Sequence, residues 1–209
     1  IVVEKKYGDE VKLELALKNL GNDIMNLVGG REIHPINLRV GGFYSVPLRA
    51  DLMPLRDRLL RALDDSVMVA RWTAGLDFPD FEPETEFVAM RHPAEYPLFE
   101  GRLASTGGLD CSINEYDQHM KEHQEPHANA LHALIDGGCY HVGPLARYNL
   151  NYHRLPKLAT QISKEIGLPE FVVNPFQSIV VRSVELIAAV EESLRVIEAY
   201  EPPIKPYIE

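Results

Sequence analysis

Apolar residues recur at helical spacing in two blocks that bracket the middle of the chain. From about Asp9 to Val28, Leu13, Leu17, Leu20, Ile24 and Leu27 step by four, three, four and three, which is one helical face. Gly29-Gly30 stops this helix, because glycine takes a left-handed C-cap without a Cβ clash. A second stripe, Leu55, Leu59, Leu63, Val67 and Ala70, predicts a helix from Asp51, read as its N-cap, to Gly75. Pro54 falls in its first turn, where a missing N–H costs nothing. A shorter helix is predicted over Pro156 to Ile166, closed by Gly167. The last helix is capped by Asn174, has Pro175 at its first position and carries Phe176, Ile179, Ser183, Ile187, Val190, Leu194 and Ile197 on one stripe. Pro202-Pro203 forbids its continuation.

Between the second and third helices the period changes. Glu86–Met90, Phe99–Ser105 and Leu109–Ile113 are short strand-like runs, with Gly107-Gly108 as a hairpin turn between the last two; Cys139–Val142 is one further short strand. The expected class is α+β, with long helices at both ends and a small antiparallel sheet inserted between them. The expected organisation is one domain over 1–209, helical over 1–75 and 156–203 around a β region at 84–142.

Composition narrows the functional classes. Lys+Arg number 21 against 31 Asp+Glu, a formal charge of −10, and 45% of residues are apolar. An acidic balance argues against nucleic acid as a partner, since phosphate backbones need a basic face. No apolar run approaches the roughly 18 to 20 residues of a membrane helix. The two cysteines, Cys111 and Cys139, are too few for a disulfide framework and suit a reducing compartment. Cys139, beside Tyr140, is expected to be a small buried apolar residue. The start at Ile1 rather than Met, and the abrupt end at Tyr207-Ile208-Glu209, suggest an internal piece of a longer protein. Neither a Gly-rich phosphate loop nor a Gly-x-Ser-x-Gly elbow is present.

The densest cluster of chemistry-bearing residues is Gly29-Gly30-Arg31-Glu32-Ile33-His34-Pro35-Ile36-Asn37-Leu38-Arg39-Val40-Gly41-Gly42-Phe43. It reads as a helix C-cap, an extended segment and a tight turn, with the backbone of His34 held extended by Pro35. His119, His123, His127 and His132 include steps of four that mimic metal-ligand spacing on a helix. Pro126 interrupts that helix, and Glu122 and Glu125 make the stretch polar, so a solvated loop is expected there.

The glycine-bracketed segment resembles the large subunit of nickel–iron hydrogenases, whose middle region carries a Gly-Arg/Lys-x-x-His-Pro…Gly-Gly motif. Tyr140-His141-Val142-Gly143-Pro144-Leu145-Ala146-Arg147 resembles a second family segment, and His127–His132 and Asn174–Ser178, with Arg182 and Glu185 behind, are weaker matches. The wording around Ile33–Tyr44 is more similar to the soluble bidirectional class. In the family, four thiolates from two Cys-x-x-Cys pairs hold the nickel–iron centre, and this chain has no such pair.

The resemblance therefore implies the central scaffold of a large subunit whose full-length form cleaves dihydrogen reversibly and heterolytically. The nickel–iron centre would lie in the parent alone, and this segment by itself would be inactive, with no catalytic or metal-binding residue. Arg31, His34, Pro35, Gly41, Gly42 and Arg147 would act around the cluster or at the contact with a small subunit that carries iron–sulfur clusters. For Arg147, an ion pair that anchors its turn is the leading expectation. The resemblance also implies a cytoplasmic protein, and the uncovered small-subunit face implies self-association of the isolated piece. Two other readings use the same residues: a quinone-oxidoreductase-type homologue without the metal site, and a non-catalytic interaction domain.

Overall fold

The computed structural model describes residues 6–136 and 138–208. The first five residues and Glu209, part of the expected domain span, lie outside the described residues. The architecture is α+β. In chain order it comprises α1 (Gly8–Gly29), β1 (Leu38–Arg39), β2 (Gly42–Phe43), α2 (Arg49–Ala74), β3 (Glu86–Arg91), β4 (Arg102–Ser105) and β5 (Asp110–Cys111). There follow α3 (Tyr116–His119), β6 (Met120–His123), β7 (His132–Ile135), β8 (Tyr140–His141), α4 (Pro144–Asn151), α5 (Lys157–Glu165) and α6 (Ser178–Ala199).

The chain divides into two compact units: Ile1–Trp72 with Leu186–Glu209, and Thr73–Glu185. The first is built on helix stripes. Leu17 and Leu20 of α1, Leu52, Leu55, Leu59, Ala62 and Val69 of α2, and Val190, Leu194 and Ile197 of α6 form one buried cluster, with Leu13, Ile24, Leu27 and Leu63 packed against it. The α2 stripe departs from the leucine pattern. Its fully buried positions continue through Ala62, Ser66, Val69 and Ala70, while Leu63 and Val67 are only half-buried. Ser66 can be buried because its hydroxyl donates to the Leu63 carbonyl at 2.8 Å.

The start of α2 also differs from expectation. The helix begins at Arg49, so Asp51 is its third residue and not its N-cap. Its carboxylate reaches back to accept the Leu48 N–H at 2.9 Å, half of a capping box. Pro54 then lies in the second turn, where it withholds one intrahelical bond.

The second unit carries a four-stranded sheet of order β5-β4-β3-β8. The β4–β5 pair is the hairpin read from Gly107-Gly108. One pairing departs from an antiparallel sheet: β8 runs parallel to β3, with Glu86 opposite Tyr140 and Phe87 opposite His141. Helix α4 packs on β3, and Leu145, Ala146 and Tyr148 on it are fully buried. Phe87 makes edge-to-face contacts with Phe171 and His141 at 5.7 and 5.6 Å between ring centres. Asn174 caps the single 3-10 turn of Pro175 that leads into α6: its Oδ1 accepts the Phe176 N–H, and its Nδ2 donates to the Pro79 carbonyl. No described helix is long and apolar enough to cross a membrane.

Candidate functional site

The glycine-bracketed segment lies in the first unit, and its shape follows from backbone bonds at the end of α1. Gly30 caps the helix in the left-handed region, φ +76°. The Gly29 carbonyl then accepts two N–H groups, from Ile36 and Asn37, at 2.9 and 3.0 Å. This folds the chain back over the helix end. His34 is consequently not extended: its φ is +52°, and its carbonyl accepts a bond from Arg31 Nε at 3.0 Å. The proline rule set a bias, and the doubled-back hydrogen bonds overrode it. Pro35 sits against Gly29, where an added Cβ would lie 3.0 Å from the proline Cβ.

Asn37, not singled out from the sequence, locks this turn. Its Nδ2 donates to the carbonyls of Val28 and Ser45, both at 2.7 Å, and its Oδ1 accepts from the Ser45 N–H and hydroxyl. Arg31 and His34 are exposed and Pro35 is half-buried. Around them stand exposed apolar side chains: Ile33, Ile36, Leu38 and Val40, the last 96% exposed.

Gly41-Gly42 closes the β1–β2 hairpin and lets the C-terminal segment pass close by. Phe43 donates to the Pro206 carbonyl, and Ile208 donates to the Gly41 carbonyl, each at 2.9 Å. A Cβ on Gly41 would lie 2.2 Å from the Ile208 carbonyl oxygen, and one on Gly42 would lie 2.6 Å from that of Pro206. Gly41 also has φ +86°. Gly41→Ala should therefore add roughly 1–2 kcal/mol of backbone strain, besides the clash. The expected result is at least about tenfold faster hydrogen exchange at the Phe43 and Ile208 amides. Unchanged protection there would show that the close approach is not needed.

Arg147 lies in the second unit. Gly143, at φ +88°, and Pro144 start α4, which places Arg147 on its first turn. Its guanidinium grips Glu185 with two bonds, Nε to Oε1 at 2.8 Å and a second nitrogen to Oε2 at 2.9 Å. Tyr96 donates its hydroxyl to the same Oε1 at 2.6 Å. The hydrogen bonds to Glu185 hold Arg147 still more firmly protonated than usual. The ion pair expected for Arg147 is thus present. Tyr96 carried no sequence signal, since it sits in an aperiodic loop.

Burial, reinforced by the Glu185 charge, pushes the Tyr96 hydroxyl well above the usual tyrosine range. Burial likewise pushes Tyr148 up to about 12; its hydroxyl bonds Ser163 Oγ at 2.7 Å and the Pro169 carbonyl at 3.0 Å. A tyrosine in the unfolded chain titrates near ~10 and loses its proton first. The stability these two groups supply is complete below about pH 10 and falls as pH rises towards their folded values. The limiting slope is about 1.4 kcal/mol per pH unit for each tyrosine. Urea unfolding followed from about pH 8 to 11 should show this decline, and Tyr148→Phe should flatten it.

The histidine-rich stretch is largely solvent-exposed, as expected, but it is a β-hairpin and not a loop throughout. β6 and β7 pair antiparallel with His123 opposite His132, the two rings 5.7 Å apart. His127, in the connection, lies 6.4 Å from His132, and His123 Nε2 pairs with Glu125 at 3.1 Å. Among the described residues no three His, Cys, Asp or Glu are grouped so as to hold a metal ion. Cys111 is buried, whereas Cys139 is exposed, contrary to the expectation of a buried apolar residue. Two cysteines cannot supply four thiolates, so the donor set of this chain does not fit a nickel–iron centre.

No protein-family model matches the chain. It is 25% identical over 205 residues to the alpha chain of sulfhydrogenase 1 of Pyrococcus furiosus, covering 96% of this chain and 48% of the relative. A stretch of 47 residues is 47% identical to the alpha chain of sulfhydrogenase 2 of the same organism, 22% of this chain and 11% of that one. The vhc F420-non-reducing hydrogenase of Methanococcus voltae has a subunit 26% identical over 162 residues, 68% of this chain and 34% of the relative. The chain thus spans about half the length, or less, of the curated relatives it matches.

Among solved structures, an NAD+-reducing [NiFe]-hydrogenase in the H2-reduced state superposes with a TM-score of 0.74 at 16% identity, covering 97% of this chain and 51% of that one. The reduced Ni-Fe-Se hydrogenase of Desulfomicrobium baculatum gives 0.64 at 17% identity, covering 96% and 50%. The relatives by sequence are hydrogenase subunits, and the fold is that of about half of a nickel–iron or nickel–iron–selenium hydrogenase chain.

Proposed function

We propose that this chain is the central scaffold of a nickel–iron hydrogenase large subunit of the soluble bidirectional class, working in the cytoplasm, whose full-length form cleaves dihydrogen reversibly. The observation that carries this reading is a coincidence of two coverages. Sequence similarity over 96% of the chain and fold similarity over 97% both lead to hydrogenase chains, and both account for about half of them. The nickel–iron centre would supply the redox chemistry, held by thiolates that this chain does not contain.

This segment's own work is positional. The exposed turn bearing Arg31, His34 and Pro35, pinned by Asn37 and backed by Gly41-Gly42, is a rigid surface element edged by apolar side chains. It suits contact with a small subunit carrying iron–sulfur clusters, where an imidazole and a guanidinium can bond cluster or backbone groups. Arg147 holds the start of α4 to Glu185. Without its partner, the apolar rim favours self-association.

The test is the reading frame on either side of the segment. Cys-x-x-Cys pairs on both flanks, together with hydrogen-dependent reduction of a viologen dye by the full protein, are the expected result. Flanks without thiolate pairs would overturn the hydrogenase reading. Sedimentation of the isolated piece as a clean monomer at high concentration would overturn the exposed-partner-face reading alone.

A further inference from the structure

The second unit contains a cleft of about 420 Å³ whose lining includes Arg91, His92, Arg102, Asp110, Asn151 and Arg154. Its charge stands out in a chain with a formal charge of −10. Arg91 and Arg102 are directly opposite one another in the β3–β4 register. Like charges in that position repel and destabilise a sheet unless an anion sits between them. Asp110 on β5 answers part of this: Oδ2 takes Arg91 at 2.8 Å and Oδ1 takes Arg102 Nε at 2.6 Å. The bond from Arg102 holds the Asp110 carboxyl below the usual carboxylate range, so it stays ionised. One carboxylate cannot neutralise two guanidiniums, and it leaves them fixed side by side with donors to spare, since each carries five N–H groups.

A third guanidinium, that of Arg154, also lines the cleft. Asn151, 2% exposed, donates from Nδ2 to the carbonyls of Met90 and Arg147, which ties the end of α4 to β3. The following turn carries His153 and Arg154 to the cleft. Arg154 makes no ion pair among the described residues. The carbonyl end of α4 offsets part of the positive charge, on the order of half a unit. Glu170, 3.9 Å from His153, and Glu115, which acts electrostatically on Arg102, do not line the cleft.

His92 supplies an oriented neutral donor. Its Nδ1 accepts the N–H groups of Ala94 and Glu95, both at 3.2 Å, so the neutral ring carries its proton on Nε2. Pro93 and Leu150 give the cleft an apolar flank. Three guanidiniums lining one cleft, one oriented N–H donor and a surplus of positive charge fit a small dianion with tetrahedral oxygens.

We propose that this cleft binds a dianionic phosphoryl group, with Arg91, Arg102 and Arg154 as its cationic contacts and His92 as a neutral donor. The source is either inorganic phosphate or a phosphomonoester whose organic part lies along Pro93 and Leu150. The proposal is independent of the hydrogenase reading, because every residue it uses lies in the second unit and none belongs to the glycine-bracketed turn.

The experiment is calorimetric titration of the protein at low ionic strength with inorganic phosphate, adenosine 5′-monophosphate and succinate, repeated on Arg154→Ala. Arg154 is exposed and makes no ion pair among the described residues, so its removal is expected to leave folding intact, which circular dichroism checks. Phosphate and the nucleotide are expected to bind, to weaken about tenfold in Arg154→Ala and to weaken with added salt, while succinate does not bind. Tighter binding of the nucleotide assigns the cleft to a phosphomonoester, and equal binding assigns it to the phosphate ion. No binding by either phosphate compound, succinate binding as well as they do, or affinity unchanged in Arg154→Ala would each overturn the proposal.

Discussion

Phe87→Ala is expected to lower the unfolding free energy by about 4 kcal/mol. Phe87 is 2% exposed on an inner strand of the sheet, with its ring edge-to-face against both Phe171 and His141. It therefore bears on three elements at once: β3, the parallel strand β8 and the segment ahead of α6. Truncation removes the transfer term of the ring and leaves a void that strand backbones cannot collapse to fill. Phe87→Leu, which keeps most of the volume, should cost less than about 1.5 kcal/mol. Urea denaturation of both variants checks the pair. A loss under about 1.5 kcal/mol for the alanine variant would mean that Phe87 does not anchor the sheet.

Glu185→Ala should cost about 3 kcal/mol for a different reason. Its carboxylate is 11% exposed and accepts two bonds from Arg147 and one from Tyr96. Removing it leaves a guanidinium and a hydroxyl facing a space that neither solvent nor protein fills well. Arg147 is 31% exposed and recovers some hydration, which keeps the figure at the low end of the range for a broken buried pair. The double variant Arg147→Met with Glu185→Leu should recover most of the loss, because desolvated charge disappears along with its partner. If the double variant instead loses the sum of what Arg147→Met and Glu185→Leu lose alone, the pair is not coupled.

The sequence was most readable where one period dominates. Leu13, Leu17, Leu20, Ile24 and Leu27 announce α1, and the Asn174-Pro175 start and Pro202-Pro203 stop frame α6. In α2 the buried face drifts to Ala62 and Ser66, small residues that a search for large apolar positions passes over. The β6–β7 hairpin was illegible because Met-Lys-Glu-His has neither strand alternation nor β-branched residues, and its order comes from pairing alone. An ion pair for Arg147 could be anticipated from the rigid Gly143-Pro144 turn ahead of it, but its partner Glu185 could not be named, nor could Tyr96, since a loop residue has no period to betray its burial. His34 shows the limit of a local rule: two bonds to the Gly29 carbonyl, set by tertiary context, outweighed the preference imposed by Pro35. The basic cleft is equally non-local, for Arg91, Arg102 and Arg154 are brought together by sheet register and by the anchoring of Asn151.

The division of the chain has a consequence for its synthesis. Thr73–Glu185 is continuous, so it can fold as soon as its last residue leaves the ribosome. The other unit needs Ile1–Trp72 and Leu186–Glu209 together, and its core is closed by Val190, Leu194 and Ile197. Until those residues emerge, the apolar faces of α1 and α2 lack their third wall. At roughly 5–20 residues per second that wait lasts about 6–25 seconds, in which the leucine stripes of the nascent chain are natural client sequences for a chaperone.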